Sequence, residues 1–378
     1  MKKTKAGVVG IGFIGPAHIE ALRRLGYVDV VALASSNQQA ADRNVERLCV
    51  PKGYGDWREL VADEEVETVH ICTPNDSHYA IAKAALLAGK HVICEKPLSM
   101  NAAEAKELVE LARETGLVNG VSFNQRYYPL IHQVKAMIQA GELGRILAVS
   151  GGYIQDWLQK ETDYSWRLEP EKSGNTRVVA DVGSHWMDAM EFMTGLRISR
   201  LCADFATFYP VRKKPRGKVL SFATEMEGME YDEIPISTED YASVLFHLEG
   251  GAHGSFTVNQ SAAGCKNRHM FEIYGTKAGV RIDIERPNEL WIGYKDKRNE
   301  IIIKDPALIY PYAADISGYP CGHAEGYPDT IKQVFARIYR HIREGVKEDY
   351  PTFEDGYRAM LLCDRIAESA AEEKWVKV

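Results

Sequence analysis

No stretch of the 378 residues approaches the ~20 consecutive apolar positions that a membrane-spanning helix requires. An excess of basic charge is also missing. The 46 lysines and arginines face 53 aspartates and glutamates, a net charge of −7, which argues against a general nucleic-acid-binding face. Cysteine is scarce and scattered: seven residues, at 49, 72, 94, 202, 265, 321 and 363, contain no CxxC pair. A structural zinc site therefore has no support and no metal is expected, while an odd set of separated thiols suits a reduced, cytoplasmic protein. Lys2, Lys3 and Lys5 precede an apolar stretch, as in a secretory signal, but Gly7, Gly10, Gly12 and Gly15 interrupt it. No A-x-A pattern comes before Glu20, so this stretch reads as strand and turn.

What is present is ordinary globular composition, 45% hydrophobic and 26% charged, long enough for about two domains. The first 123 residues alternate short apolar runs with amphipathic ones. Strands are predicted at Ala6–Val9, Val28–Ala34, Thr68–Cys72, His91–Cys94 and Val118–Phe123. Helices are predicted near Pro16–Leu25, Gln38–Leu48, His78–Ala88 and Ala102–Thr115, the last with a capping-box-like start at Asn101 and Glu104 and an end at Gly116. This is the pattern of a doubly wound α/β sheet. Beyond it, a helix (Pro129–Ala140), a long strand from Ile146 toward Trp157 and a helix near Ser184 precede consecutive strands at Tyr241–Glu249, Ala252–Gln260, His269–Tyr274 and Gly279–Glu285. Two helices, near Ala324–Glu344 and Glu354–Glu372, close the chain. Consecutive strands without intervening helices predict a mostly antiparallel sheet. The expected division is a doubly wound domain over 1–123 and an α+β domain over 124–378.

Residues 209–240 stand apart. Arg212, Lys213, Lys214, Arg216 and Lys218 are followed by Glu225, Glu227, Glu230, Asp232 and Glu233. A basic cluster of this kind could contact phosphate. A solvated loop whose charges balance locally is the reading adopted.

GIGFIG, Gly10 to Gly15, falls between a predicted strand and a predicted helix, the context that gives a glycine-rich loop its meaning. Gly10 allows the tight turn, Gly12 the approach of a pyrophosphate and Gly15 close helix packing, with Phe13 and Ile14 leading into a helix N-terminus that attracts phosphate. The acidic residue expected ~20 positions further on is absent, since that place holds Ser35 and Ser36, then Asn37. Without a carboxylate to repel a 2′-phosphate, the cofactor reads as NAD(P) with a lean to NADP; NAD bound through another contact is the alternative. Thr73, Pro74, Asn75 and His78 follow one strand, and Glu95 and Lys96 follow the next, at the carboxyl edge where open α/β sheets bind ligands. A lysine held there can stabilise an alkoxide, and a solvated loop lysine is the bland alternative. Further on, Asp181, His185 and Asp188 share a helix face if the segment is helical. A histidine oriented by a carboxylate is a suitable general base. A capping aspartate with a buried structural histidine, and a metal pair lacking a third ligand, are the competing readings.

Taken in order, GIGFIG followed by His18, then TPN, EKP and D-x-G-x-H, strongly resemble the glucose–fructose oxidoreductase/inositol dehydrogenase/rhizopine catabolism (Gfo/Idh/MocA) family. The resemblance extends through FEIYGTKAGV (Phe271–Val280) and the closing segment from Phe353. It implies Lys96, Asp181 and His185 as the catalytic set, and a dinucleotide-binding Rossmann domain over 1–123 followed by a substrate-binding and oligomerisation α+β domain over 124–378. The second domain's large, mostly antiparallel open sheet would build a homodimer or homotetramer. Ser35 departs from the family's acidic position and leaves the cofactor's phosphate state open.

Gly151–Arg167 combines Tyr153, Trp157, Tyr164 and Trp166 with Gln155, Asp156 and Arg167, aromatic faces and planar polar groups of the kind that suit sugar rings. Core tryptophans with a polar rim are the alternative. Arg126, Tyr127 and His323 are further pocket candidates, and the segment is similar to that of family members acting on sugars and anhydrosugars. The function expected is hydride transfer between nicotinamide and a carbinol carbon of a sugar, anhydrosugar or cyclitol, a small polyhydroxylated substrate. A nicotinamide-dependent glycosidase working by transient oxidation and elimination, and a non-catalytic dinucleotide or sugar sensor, are the rivals. The intact lysine–aspartate–histidine set argues against the sensor.

Overall fold

The computed structural model describes residues 3–217 and 230–378. The chain forms two compact units, Met1–Asn124 with Pro328–Met360, and Gln125–Tyr327 with Leu361–Val378. The sequence suggested a single cut after residue 123, whereas the chain returns to its first unit near the end. The reason lies at the edge strand Asn119–Val121. The Val121 N–H bonds to Pro351 O at 3.0 Å, and Asn119 Oδ1 accepts from the Phe353 N–H at 2.8 Å, so the returning segment covers an edge that would otherwise stay open.

In the first unit β1 (Thr4–Val9), β2 (Val28–Ala34), β3 (Lys52–Tyr54), β4 (Thr68–Ile71), β5 (His91–Cys94) and β6 (Asn119–Val121) form a sheet in the order β3-β2-β1-β4-β5-β6. Every pairing is parallel. Helices α1 (Ile14–Leu25), α2 (Gln38–Leu48), α3 (Trp57–Ala62), α4 (His78–Leu87) and α5 (Ala102–Thr115) connect the strands. β4 is buried at all four positions, as a strand covered on both faces must be. Strand order reverses between β1 and β4, so the loops after them border the crevice where such sheets take ligands. β3 and α3 have no counterpart in the sequence reading, because Lys-Gly-Tyr carries no apolar run and α3 is only six residues long.

In the second unit α6 (Pro129–Gln139), β7 (Ile146–Ile154), α7 (Pro170–Ser173) and α8 (Ser184–Thr194) lead into β8 (Ile198–Ala206), β9 (Val211–Pro215) and β10 (Tyr231–Pro235). Then come β11 (Tyr241–Leu248), β12 (His253–Asn259), β13 (Arg268–Gly275), β14 (Gly279–Asp283), β15 (Glu289–Gly293), β16 (Glu300–Ile303) and α9 (Pro311–Ala314). Of the closing helices, α10 (Tyr327–Glu344) belongs to the first unit from Pro328 on and α11 (Phe353–Glu372) to the second from Leu361 on, followed by β17 (Val376–Lys377). Among the described residues, nine strands form one sheet in the order β16-β15-β14-β13-β7-β12-β11-β8-β17. Only the β7–β12 pairing in it is parallel.

One face of this sheet carries α8. Trp186, fully buried, stacks on Phe256 and Phe271 at 4.6 and 5.5 Å between ring centroids, and its indole N–H donates to Met270 O at 2.9 Å. Truncating such a residue costs about 3–5 kcal/mol. The tryptophan thereby fixes the rotation of α8 and with it the direction of the neighbouring His185.

The 209–240 segment is not the solvated loop expected. β9 and β10 pair antiparallel. Arg212 is fully buried and donates to Asp240 at 2.7 Å and to Leu158 O and Lys160 O at 2.9 Å each. The charges do balance nearby: Lys213 pairs with Glu161, Lys214 with Glu169, and Arg216 with Glu230 and Asp232. Lys218, Glu225 and Glu227 lie outside the described residues.

Candidate active site

The glycine loop of the first unit is shaped for a phosphate. Gly10 has φ +93°, and a Cβ there would sit 2.7 Å from the Cys72–Thr73 peptide, so only glycine lets the loops after β1 and β4 meet. A Cβ on Gly15 would lie 2.3 Å from Gly10 O, while Gly12 faces open space. Phe13 is 64% exposed, and no side chain caps the N-terminus of α1, unlike α2, where Asn37 Oδ1 accepts from the Ala40 N–H at 2.9 Å. The uncapped N–H groups and the open glycine fit a dinucleotide's pyrophosphate. At the end of β2, Ser35 Oγ accepts from Asn44 at 3.1 Å, Ser36 is exposed, and neither position carries a carboxylate.

The two remaining loops at this edge are tied together from beneath. Thr73 and Pro74 are half-buried and Asn75 is buried, with the Ser77 hydroxyl donating to Thr73 Oγ1 at 2.7 Å. His78 is fully buried, its ring nitrogens 2.7 Å from Pro97 O and 2.9 Å from Thr73 O. It therefore supports the loops and presents no surface to a ligand. Glu95 receives the Lys96 N–H at 3.3 Å, and His18 Nε2 lies 3.0 Å from its carboxylate. Burial acts to raise the Glu95 pKa, but His18 and Lys96 together hold it below the usual value. Lys96 is half-buried.

In the second unit Val179–Gly183 forms a π-helical turn that runs directly into α8. Such turns are rare and are frequent at functional sites. This one carries Asp181, whose carboxylate pairs with Arg167 Nε at 2.9 Å and accepts from Gln260 Nε2 at 2.8 Å. His185 follows on α8 and is 6% exposed. Its ring centroid lies 6.3 Å from that of Tyr153, which stacks on His269 at 4.4 Å and donates to Asn267 Oδ1 at 2.7 Å. Burial pulls the His269 pKa down to about 3, so that ring is neutral at ordinary pH.

Other predicted residues have different company. Asp188 forms a buried two-point pair with Arg126, with Nε 2.6 Å from Oδ2. That pair engages both side chains, one read as a pocket donor and the other as an extension of the Asp181–His185 face. Asp156 is held by Lys266 Nζ at 2.6 Å and by the Gly264 N–H at 3.1 Å. Trp166 lies under the Arg167 guanidinium at 4.6 Å, Trp157 is 36% exposed, and Tyr164 packs against Leu158, Leu168 and Ile236. Tyr127 is buried in ring contact with His132. His323 is exposed, and its carbonyl accepts from the buried Lys304 at 3.1 Å.

Sequence reasoning missed Gln260, Asn267 and His269. Gln260 just beyond β12 and His269 on an inward position of β13 carry a faint signal, polar residues where the alternation demands apolar ones. Among the described residues, no helix is long and apolar enough to cross a membrane, and no group of three or more His, Cys, Asp or Glu residues is placed to hold a metal.

The comparisons with known proteins agree with this architecture. The family model for the oxidoreductase family with an NAD-binding Rossmann fold (Gfo/Idh/MocA) matches residues 4–123, and that for the Gfo/Idh/MocA C-terminal domain matches residues 131–281. Levoglucosan dehydrogenase of Pseudarthrobacter phenanthrenivorans is 31% identical, the alignment covering all of this chain and 99% of that one. Myo-inositol 2-dehydrogenase of Thermotoga maritima is 24% identical over 99% of this chain and 98% of its own. Among solved structures, levoglucosan dehydrogenase in complex with NADH and L-sorbose superposes with a TM-score of 0.90 at 30% identity, covering 100% and 99% of the two chains. An inositol dehydrogenase homologue complexed with NAD+ from Azotobacter vinelandii gives 0.88 at 26% identity over 100% and 98%. The chain belongs to the Gfo/Idh/MocA oxidoreductase family. It is an NAD-binding dehydrogenase acting on CH–OH groups.

Proposed function

We propose that this dehydrogenase oxidises a carbinol carbon of a sugar, anhydrosugar or cyclitol, with Lys96, Asp181 and His185 as its catalytic residues. The observation that carries the reading is the aspartate–histidine pair on the π turn and α8, with Asp181 held by Arg167 and Gln260. When bound, the nicotinamide supplies the hydride acceptor for the carbinol C–H. His185 takes the hydroxyl proton, Asp181 fixes the local field around that histidine, and Lys96 stabilises the developing alkoxide. Tyr153, Trp157, Trp166 and Arg167 supply the ring faces and donors that a polyhydroxylated ring needs.

At the adenosine end, the serines at 35 and 36 admit a 2′-phosphate, so NADP(H) is accepted beside NAD(H). The outer row of the large sheet, with Leu245 at 55% exposed and Leu147 at 42%, favours self-association into a homodimer or homotetramer. Seven unpaired cysteines are in keeping with the cytoplasm. The deciding experiment is a screen of NAD+ and NADP+ reduction against sugars, anhydrosugars and inositols. Reduction by one such class supports the reading, and failure of all of them with a folded, dinucleotide-binding protein sinks it.

A further inference from the structure

Behind the Glu95–Lys96 corner lies a chain of buried polar rings that the chemistry above does not use. His18 on α1, His70 on β4 and Tyr339 on α10 are each 0% exposed, and Phe335 closes edge-on over both histidines at 4.7 and 4.9 Å. The hydrogen bonds have one consistent direction. A carboxylate only accepts, so the contact of Glu95 with His18 Nε2 at 3.0 Å puts a proton on that nitrogen, and a ring that carries this one proton has Nδ1 as its acceptor. His18 Nδ1 is 3.1 Å from His70 Nδ1, so the latter carries the shared proton. His70 Nε2 is then bare and accepts from the Tyr339 hydroxyl at 2.9 Å. Burial lowers the pKa of His70, which keeps its ring neutral and the pattern intact.

Polar groups are a costly filling for a core, because each is destabilising unless every link is made. Apolar side chains of similar volume would serve packing alone as well. What the polar chain adds is orientation, since each ring fixes the tautomer of the next and the last N–H points at Glu95. That carboxylate is 13% exposed, at the carboxyl edge of the sheet beside Lys96.

We propose that His18 is a positioning residue, with His70 and Tyr339 setting its tautomer, which presents Glu95 as a fixed anionic acceptor to a hydrogen-bond donor of the bound dinucleotide. The inference rests on the reading that the dinucleotide lies along this edge, and not on the identity of the sugar.

The test is NADH binding followed by fluorescence, without substrate. His18→Phe keeps the ring and removes the donor, and should weaken NADH about tenfold, while His18→Gln, which restores an N–H, should recover most of that loss. In a Glu95→Gln background His18→Phe should have no further effect. Equal weakening in both backgrounds, or none in either, overturns the proposal. Tyr339→Phe provides the same cycle with a milder change should His18→Phe not fold. Ring nitrogen spectra of histidine-labelled protein should show His18 protonated on Nε2 and His70 on Nδ1, and the reverse pattern also overturns it. A wild-type protein that binds NADH yet oxidises no sugar would remove the substrate reading and leave this test standing.

Discussion

Two arginine–aspartate pairs in the second unit differ in what they permit. Arg177 and Asp240 are both sealed at 0% exposure, and Asp240 accepts from Arg177 and Arg212 on Oδ1 and from the Phe208 and Tyr209 N–H groups on Oδ2. Those donors fill the roughly four lone-pair sites of a carboxylate. Next door, Glu239 accepts the N–H groups of Arg177 and Val179, which fastens the start of the π turn. Arg167 and Asp181 use the same chemistry at the rim, with the arginine side chain 25% exposed and a neutral amide, Gln260, on the second oxygen. A saturated, sealed carboxylate cannot change partners during a reaction, whereas one held by a partly exposed arginine can. The first pair builds the shelf on which the second stands.

The contrast is sharpest in variants that separate stability from turnover. His185→Ala should lower kcat by roughly 10²–10⁴ with an unchanged melting temperature, and near-native turnover would remove His185 from the mechanism. Asp240→Ala leaves two buried arginines without their carboxylate and should cost about 3–5 kcal/mol in denaturant unfolding. A loss below ~1 kcal/mol would place the cluster among ordinary surface pairs.

Arg167→Ala tests the open pair. Were Arg167 only a sugar donor, KM alone would rise. Because it holds Asp181, kcat should fall as well, about tenfold, with little change in melting. A pure KM effect would show that Asp181 does not need it.

Glu169, on the same stretch of chain, offers a weaker contrast governed by pH. Burial acts to raise its pKa, but Lys172, Lys214 and Tyr164 overcome this and bring it down to about 2 from 4.5. A depressed carboxylate contributes stability above its unfolded pKa and loses it as the folded form protonates. The stability gap between wild type and Glu169→Gln should therefore be constant above about pH 4.5 and shrink toward pH 2. A gap independent of pH would assign the effect to packing. Ser35→Asp should have the smallest consequence, lowering NADP(H) affinity while sparing NAD(H). A wild type that already rejects NADP+ would make the serines irrelevant to that choice.

The first unit was the more legible in sequence, because its strands other than β3 and β6 are mostly apolar and its motifs follow strands directly. β2, β5 and α5 fall at their predicted bounds, since Val28–Ala34 and His91–Cys94 are clean runs and Asn101 and Gly116 mark both ends of a helix. β8, β15 and β16 were not read, because half-exposed strands such as Glu300–Ile303 carry weak alternation and little apolar contrast. Arg212 was read as solvated because a sequence shows its charge and not Asp240, which closes on it from 28 residues away. The Arg167–Asp181 pair and the His18–His70–Tyr339 chain were hidden for the same reason. Their partners are set by tertiary packing, the last link spanning 269 positions.

That last link also bears on how the protein is made. When the ribosome has delivered Asn124, all six strands of the first sheet exist, but Phe335, Tyr339 and the Pro351 carbonyl that caps β6 do not. At roughly 5–20 residues per second, the whole of Gln125–Tyr327 takes on the order of 10–40 s to appear before they arrive. Through that interval His18 and His70 have neither the lid nor the terminal hydroxyl that makes their burial tolerable, and the edge of β6 lacks its cover. The nascent first unit thus has its buried rings and one strand edge uncovered during the synthesis of the second, and its completion is a late event however early its sequence emerges.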